Sequence, residues 1–110
     1  MGIYNGGNEM EKWADYCISA VRYDNKKTHI DKVEVREDLG DKVGAPEEWS
    51  REKVVSALEN GDEFVTIFKN NKGNYDKGQK VEIIKVNTKK YIRTNRNKVA
   101  SDNLENLPTF

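Results

Sequence analysis

The sequence predicts an α+β fold: a small, mainly antiparallel five-stranded sheet with one helix, in the order ββαβββ, and an irregular C-terminal tail packed back on the core. Three observations predict it. Two early runs alternate apolar and polar residues, one central segment carries a complete set of helix signals, and three further β-type runs precede a closing stretch without periodicity. The 110 residues suffice for one hydrophobic core and are too few for two.

Residues 1 to 12 hold Gly2, Gly6 and Gly7 among scattered polar groups, so they are expected to form a flexible N-terminal segment, with residues 13 to 110 as a single α+β domain. "DYCISAVRYD" (15 to 24) alternates, with Cys17, Val21 and Tyr23 on one face and Tyr16, Ile18 and Ala20 on the other. "NKKT" turns the chain into "HIDKVEVRED" (29 to 38), where Val33 and Val35 oppose Lys32, Glu34 and Arg36, and the two runs form a first hairpin. "LGDKVGAPEEW" has two glycines and a proline and reads as a loop.

"SREKVVSALENG" is the helix. Ser50 is placed to accept from free first-turn N–H groups, Glu52 complements the positive end, and Gly61 can take the left-handed conformation that closes it. Val54, Ala57 and Leu58 make the buried stripe, with Val55 beside it. "EFVTIFKN" (63 to 70) is apolar on both faces and belongs in the sheet interior. "NKGNYDKG" reads as a turn, and "QKVEIIKVN" with "KKYIRTN" forms a second hairpin about "NTK". The pair Ile83-Ile84 interrupts the alternation there, which means a bulge or burial on both faces. In "RTNRNKVASDNLENLPTF", Leu104, Leu107 and Pro108 are expected to fold back as a clasp over apolar surface.

Apolar residues make up 35% of the chain and charged residues another 35%, but basic and acidic groups balance at 19 each and the apolar residues are clustered, unlike those of disordered chains. The neutral total hides an asymmetry. Residues 1 to 63 carry 9 basic and 15 acidic groups, whereas residues 64 to 110 carry 10 and 4, and the fold decides whether the halves neutralise each other. A single cysteine excludes an internal disulfide and suits a reducing compartment. With no long apolar run and no signal-peptide pattern, the expectation is a cytoplasmic protein without a membrane span.

Few groups suit catalysis. With one histidine and one cysteine, no His/Cys metal cluster can form within the chain, and no cofactor motif is present. A Cys17–His29 dyad across the first hairpin is set against a buried, inert cysteine. Glu47-Glu48 and Glu37-Asp38 read as solvated positions, and Trp13, Trp49, Tyr16 and Tyr23 as core residues, with Trp49 stapling the start of the helix. The stronger functional candidate is the basic hairpin, where residues 64 to 98 hold 10 basic and 2 acidic groups. Lys85, Lys89, Lys90, Arg93, Arg96 and Lys98 are interleaved with Tyr91, a mixture suited to phosphate contacts and one stacking platform. The same lysines also suit a sheet edge kept from pairing with other chains.

"ADYCISAVRY", "EWSREKVVSALENG", "KYIRT" and "SDNLENLP", in that order, resemble a bacterial family of small proteins, domain of unknown function 3892. The resemblance spans residues 13 to 110, and its most specific part is Tyr91, Arg93 and Thr94 followed by Asp102, Asn103, Leu104, Leu107 and Pro108. Members often end with a cysteine after Leu-Pro, where this chain has Thr109-Phe110. The resemblance implies a bacterial or phage origin and no established activity. The expected function is a non-enzymatic binding module whose partner is a polyanion, such as nucleic acid, or a protein. The alternatives are an accessory subunit, a homo-oligomer or a phage-encoded inhibitor, and then a small-ligand sensor or enzyme.

Overall fold

The computed structural model describes residues 12–26, 29–94, 101–104 and 107–110. The flexible segment expected over 1 to 12 lies outside the described residues except for Lys12, which is exposed. Among the described residues, seven strands and one helix follow in the order β1 (Tyr16–Tyr23), β2 (Ile30–Glu37), β3 (Glu47–Ser50), α1 (Arg51–Glu59), β4 (Phe64–Lys69), β5 (Tyr75–Lys80), β6 (Glu82–Val86) and β7 (Lys89–Arg93). The fold is α+β with one helix, as the sequence indicates, but the strand order differs. A five-stranded mixed sheet runs β3-β2-β1-β4-β5, and β6-β7 forms a separate two-stranded sheet.

The expected first hairpin is present: β1 and β2 pair antiparallel from Tyr16↔Glu37 to Tyr23↔Ile30. Its alternation is not simple, because the register shifts between Ile18 and Ala20. That bulge changes the parity of β1, so Ile18 and Val21 share the main core while Cys17 packs with Ala14, Val65 and Ile67 on the other face.

The stretch read as a loop ends in a strand, since Glu47–Ser50 pairs antiparallel with β2 from Val35↔Glu47 to Lys32↔Ser50. Only Trp49 of the four turns inward, which leaves no apolar alternation to read. α1 then carries the chain across the sheet, and β4 emerges beside β1 running parallel to it, from Tyr16↔Phe64 to Ile18↔Thr66. A crossover helix returns the chain in the direction it left, which replaces the expected antiparallel neighbour by a parallel one.

The helix signals work as expected. Ser50 Oγ accepts from the Lys53 amide at 3.2 Å, Val54 and Ala57 are buried, and Gly61 closes the end at φ 99°. "NKGNYDKG" is a turn only as far as Asn74, and β5 begins at Tyr75. Gly78 lies within that strand against Thr66, where a Cβ would stand 2.3 Å from Thr66 Oγ1 and 2.9 Å from its carbonyl oxygen. Val81, whose amide donates to the Phe64 carbonyl, separates the two sheets, so "QKVEIIKVN" is split between them.

Val81, Ile92, Val54, Trp49 and Phe64 meet the β1 and β2 side chains in one core, and the tail completes it. Leu104 is 0% and Leu107 6% exposed. The tail docks twice: Asn103 donates to the Ile92 carbonyl and accepts from the Thr94 amide, and further on the Val21 amide donates to the Pro108 carbonyl at 2.9 Å. Thr109 thus lies parallel to β1, bridged to Val21.

Candidate ligand cleft

Three elements enclose an open cleft of about 550 Å³. Asp24, His29, Ile30 and Asp31 come from the β1–β2 turn and the start of β2; Arg51, Glu52 and Val55 from the first turns of α1; Thr88, Lys89, Lys90 and Tyr91 from the second hairpin. That hairpin is tight. Val86 pairs with Lys89 across Asn87-Thr88, and Asn87 takes the left-handed conformation at φ 60°, which asparagine tolerates.

The floor is organised by Asp102, whose side chain is 0% exposed. Its Oδ2 accepts from the Ile30 amide and from Arg51 Nε, both at 2.7 Å, and its Oδ1 accepts from the Ile92 amide at 2.8 Å and Arg51 Nη2 at 3.1 Å. Four donors on one carboxylate, two from a guanidinium, satisfy a buried charge that would otherwise be costly. These hydrogen bonds hold the Arg51 guanidinium above its usual pKa. Arg51 also donates to the Lys90 carbonyl.

The two backbone donors belong to the residues that follow His29 and Tyr91. Their rings consequently lie face to face, 5.7 Å apart between centroids and 8° from parallel. Tyr91 is 5% exposed, while the His29 side chain is 46% exposed, so the imidazole forms the surface and the phenol ring its support. His29 Nδ1 is 4.0 Å from Asp102 Oδ2, beyond hydrogen-bond distance.

The basic hairpin is dispersed by this geometry. Lys89 is exposed on the cleft rim; Lys90, also on the rim, pairs with Glu59 of α1; Tyr91 is in the floor. Lys85 is exposed but is not part of the lining, and Arg93 is 4% exposed, donating to the Ser101 carbonyl at 2.8 Å and its Oγ at 3.2 Å. Arg96 and Lys98 lie outside the described residues. The Lys90–Glu59 and Arg51–Asp102 pairs join the basic and acidic halves of the chain.

Other sequence expectations separate. Cys17 pairs with Arg36 at one end of the first hairpin and His29 lies at the other, so the dyad does not form. The thiol is fully buried, and burial, aided by Asp38, pushes it up to about 12. Asp38 is a correction: it is 3% exposed, accepting from the Trp13 and Ala14 amides and from Gly40. Trp13 is another, at 38% exposed, whereas Trp49 packs against Tyr16 and Phe64 at 4.9 and 5.8 Å.

Reading the sequence missed Arg51 and the joint role of His29 and Asp102. One signal was present: an arginine directly after the N-cap sits at the positive end of its own helix, an unfavourable place without an anionic partner. Asp102 stands in the tail marker, but its bonds to Ile30 and Arg51 span 72 and 51 residues, so no local pattern announces them. Among the described residues, no helix is long and apolar enough to cross a membrane.

No curated protein and no solved structure matches the sequence significantly. Residues 17–108 match the sequence model of the family described as "Protein of unknown function (DUF3892)", and this span includes β1 from its second residue, the helix, the Asp102 hub and the Leu-Pro tail. The chain therefore belongs to that family.

Proposed function

We propose that this protein is a non-enzymatic binding module that holds an anionic group at the cleft, against the Lys89–Lys90 side of the second hairpin. The observation that carries this reading is the placement of both lysines on the rim of a cleft whose floor is an exposed imidazole backed by a buried aromatic ring. A volume of about 550 Å³ falls within the range of small-molecule sites. The lining favours binding over chemistry, because Asp102 is committed to four donors and does not bond to His29 to orient it as a base.

The ligand is a compact anion or the end of one. Asp24, Asp31 and Glu52 share the lining and repel a long polyanion, and Arg93 is turned into the tail. Titrating the full chain with tripolyphosphate, followed by amide chemical shifts, tests this. Shifts confined to residues 29–31, 51–55 and 88–91, weakened by added salt and lost in Lys89→Ala/Lys90→Ala, are expected. Shifts elsewhere, or none, refute it.

A protein partner is the second reading, favoured by Trp13 and Leu39, which are 38% and 43% exposed. The Trp13 amide is tied to Asp38, the chain neighbour of Leu39, so the two side chains leave from one corner of the fold. A stoichiometric partner captured by the wild type but not by Trp13→Ser/Leu39→Ser supports it; capture unchanged by the substitutions counts against it.

A further inference from the structure

We infer that the ligand of the cleft carries a planar ring as well as its anionic group, the chemistry of a nucleotide, either free or at the end of a single strand. The inference rests on the anion-binding reading above. It adds the ring, and the ring comes from His29.

The imidazole lies flat on Tyr91, and Tyr91 is nearly inaccessible, so one face of the imidazole is spent on that contact. Nearly half of the side chain remains exposed, and the residue lines the cleft. A flat, exposed ring that is already half of a stack presents a platform for a third ring, and base–aromatic stacking is tolerant of base identity because every base has a π-face.

The platform is held rather than mobile. The amides of Ile30 and Ile92, the chain neighbours of the two rings, donate to the same Asp102 carboxylate, which Arg51 holds in turn. Little ordering is therefore left for a ligand to impose, which favours binding by a site this open.

The rest of the lining is distributed as a nucleotide requires. Lys89 supplies a cation for a phosphate at the hairpin end, with Lys90, paired to Glu59, beside it. Asp24 of the β1–β2 turn, Asp31 of β2 and Glu52 of α1 supply acceptors for the hydroxyl or amino groups of a sugar and base. An inorganic anion makes no use of those acceptors.

The test compares AMP, ribose 5-phosphate and adenosine against the full chain by calorimetry, with proton NMR of the His29 imidazole. AMP is expected to bind about tenfold or more tightly than ribose 5-phosphate of equal charge. The His29 ring protons are expected to move upfield under the stacked base. His29→Ala should abolish the AMP preference, His29→Phe should restore it in part, and Lys89→Ala should weaken AMP and ribose 5-phosphate alike. Equal affinity for the two phosphates, or a preference that survives His29→Ala, overturns the ring while leaving the anion reading intact. If no phosphate-bearing probe binds, both fall. A tetranucleotide that binds more tightly per site than AMP assigns the ring to a strand, and equal affinity assigns it to a free nucleotide; either supports the inference.

Discussion

Replacing Asp102 by asparagine changes one atom and should cost this protein much of its stability. The carboxylate accepts four hydrogen bonds, divided so that each oxygen takes one backbone amide and one guanidinium N–H. An asparagine oxygen satisfies one such pair, and its NH₂ group then faces the other two donors. One buried amide is left without an acceptor, at about 1 to 3 kcal/mol. Breaking a buried ion pair costs about 3 to 5 kcal/mol, an upper figure here because the Arg51 side chain remains 19% exposed. We expect a total loss of about 3 kcal/mol. Urea denaturation is the assay: with a slope of about 1.5 kcal/mol per molar, the midpoint should fall by about 2 M. A double-mutant cycle with Arg51→Met isolates the pair, and the two single losses should exceed the double by more than about 1 kcal/mol. A loss below about 0.5 kcal/mol for Asp102→Asn, or an additive cycle, would refute the hub.

Leu104→Ala should cost about 2 to 5 kcal/mol, as expected for a fully buried leucine, and a chain ending at Ser101 should lose more because Asp102 goes with it; melting temperatures that match the intact protein would refute the clasp. Gly78→Ala should destabilise by about 1 to 3 kcal/mol, since the new Cβ meets both the Thr66 hydroxyl and its carbonyl oxygen, and adding Thr66→Ala should relieve only the first, as read by thermal melting. Cys17 should resist alkylation at pH 8 until the protein unfolds, because its thiolate form is disfavoured by burial. The sign of the accompanying pH effect follows: the folded pKa lies above the unfolded value, so the contribution is intact below about 9 and declines as pH rises from there towards 12. Cys17→Ala should flatten that part of the stability profile.

The elements legible in the sequence were those whose signals are local. α1 carried its cap, its stripe and its closing glycine within a dozen positions, and the first hairpin showed its apolar alternation apart from a bulge that only the pairing partner reveals. The two edge strands were illegible for a shared reason. β3 has one inward residue in four, and β5 has no fully buried side chain, so both exist through pairing rather than through an apolar face. The parallel β1–β4 neighbours were hidden because the helix decides direction, and its path across the sheet is not encoded in either strand. In the candidate site, the count of positive charges singled out a hairpin that contributes to the cleft lining but treated its cations as equivalent. The fold assigns Arg93 to the tail, Lys90 to Glu59 and Lys89 to the cleft rim.

Clasp and cleft are mechanically one feature. The tail reaches the core through Leu104 and Leu107, and two residues before the first of them it places Asp102 where β2, β7 and the start of α1 converge. Those three elements are the walls of the cleft, and they belong to different layers: β2 to the large sheet, β7 to the small one, α1 to the helix between β3 and β4. Without a common anchor, the stacking of His29 on Tyr91 would depend on two sheets holding register with no hydrogen-bonded ladder between them. One carboxylate bound to an amide from each sheet supplies that register. Arg51 offsets the charge and ties the helix to the same point. The tail leucines hold the carboxylate in place by hydrophobic burial, which has no directional preference, and the carboxylate converts that burial into a defined geometry at the two rings.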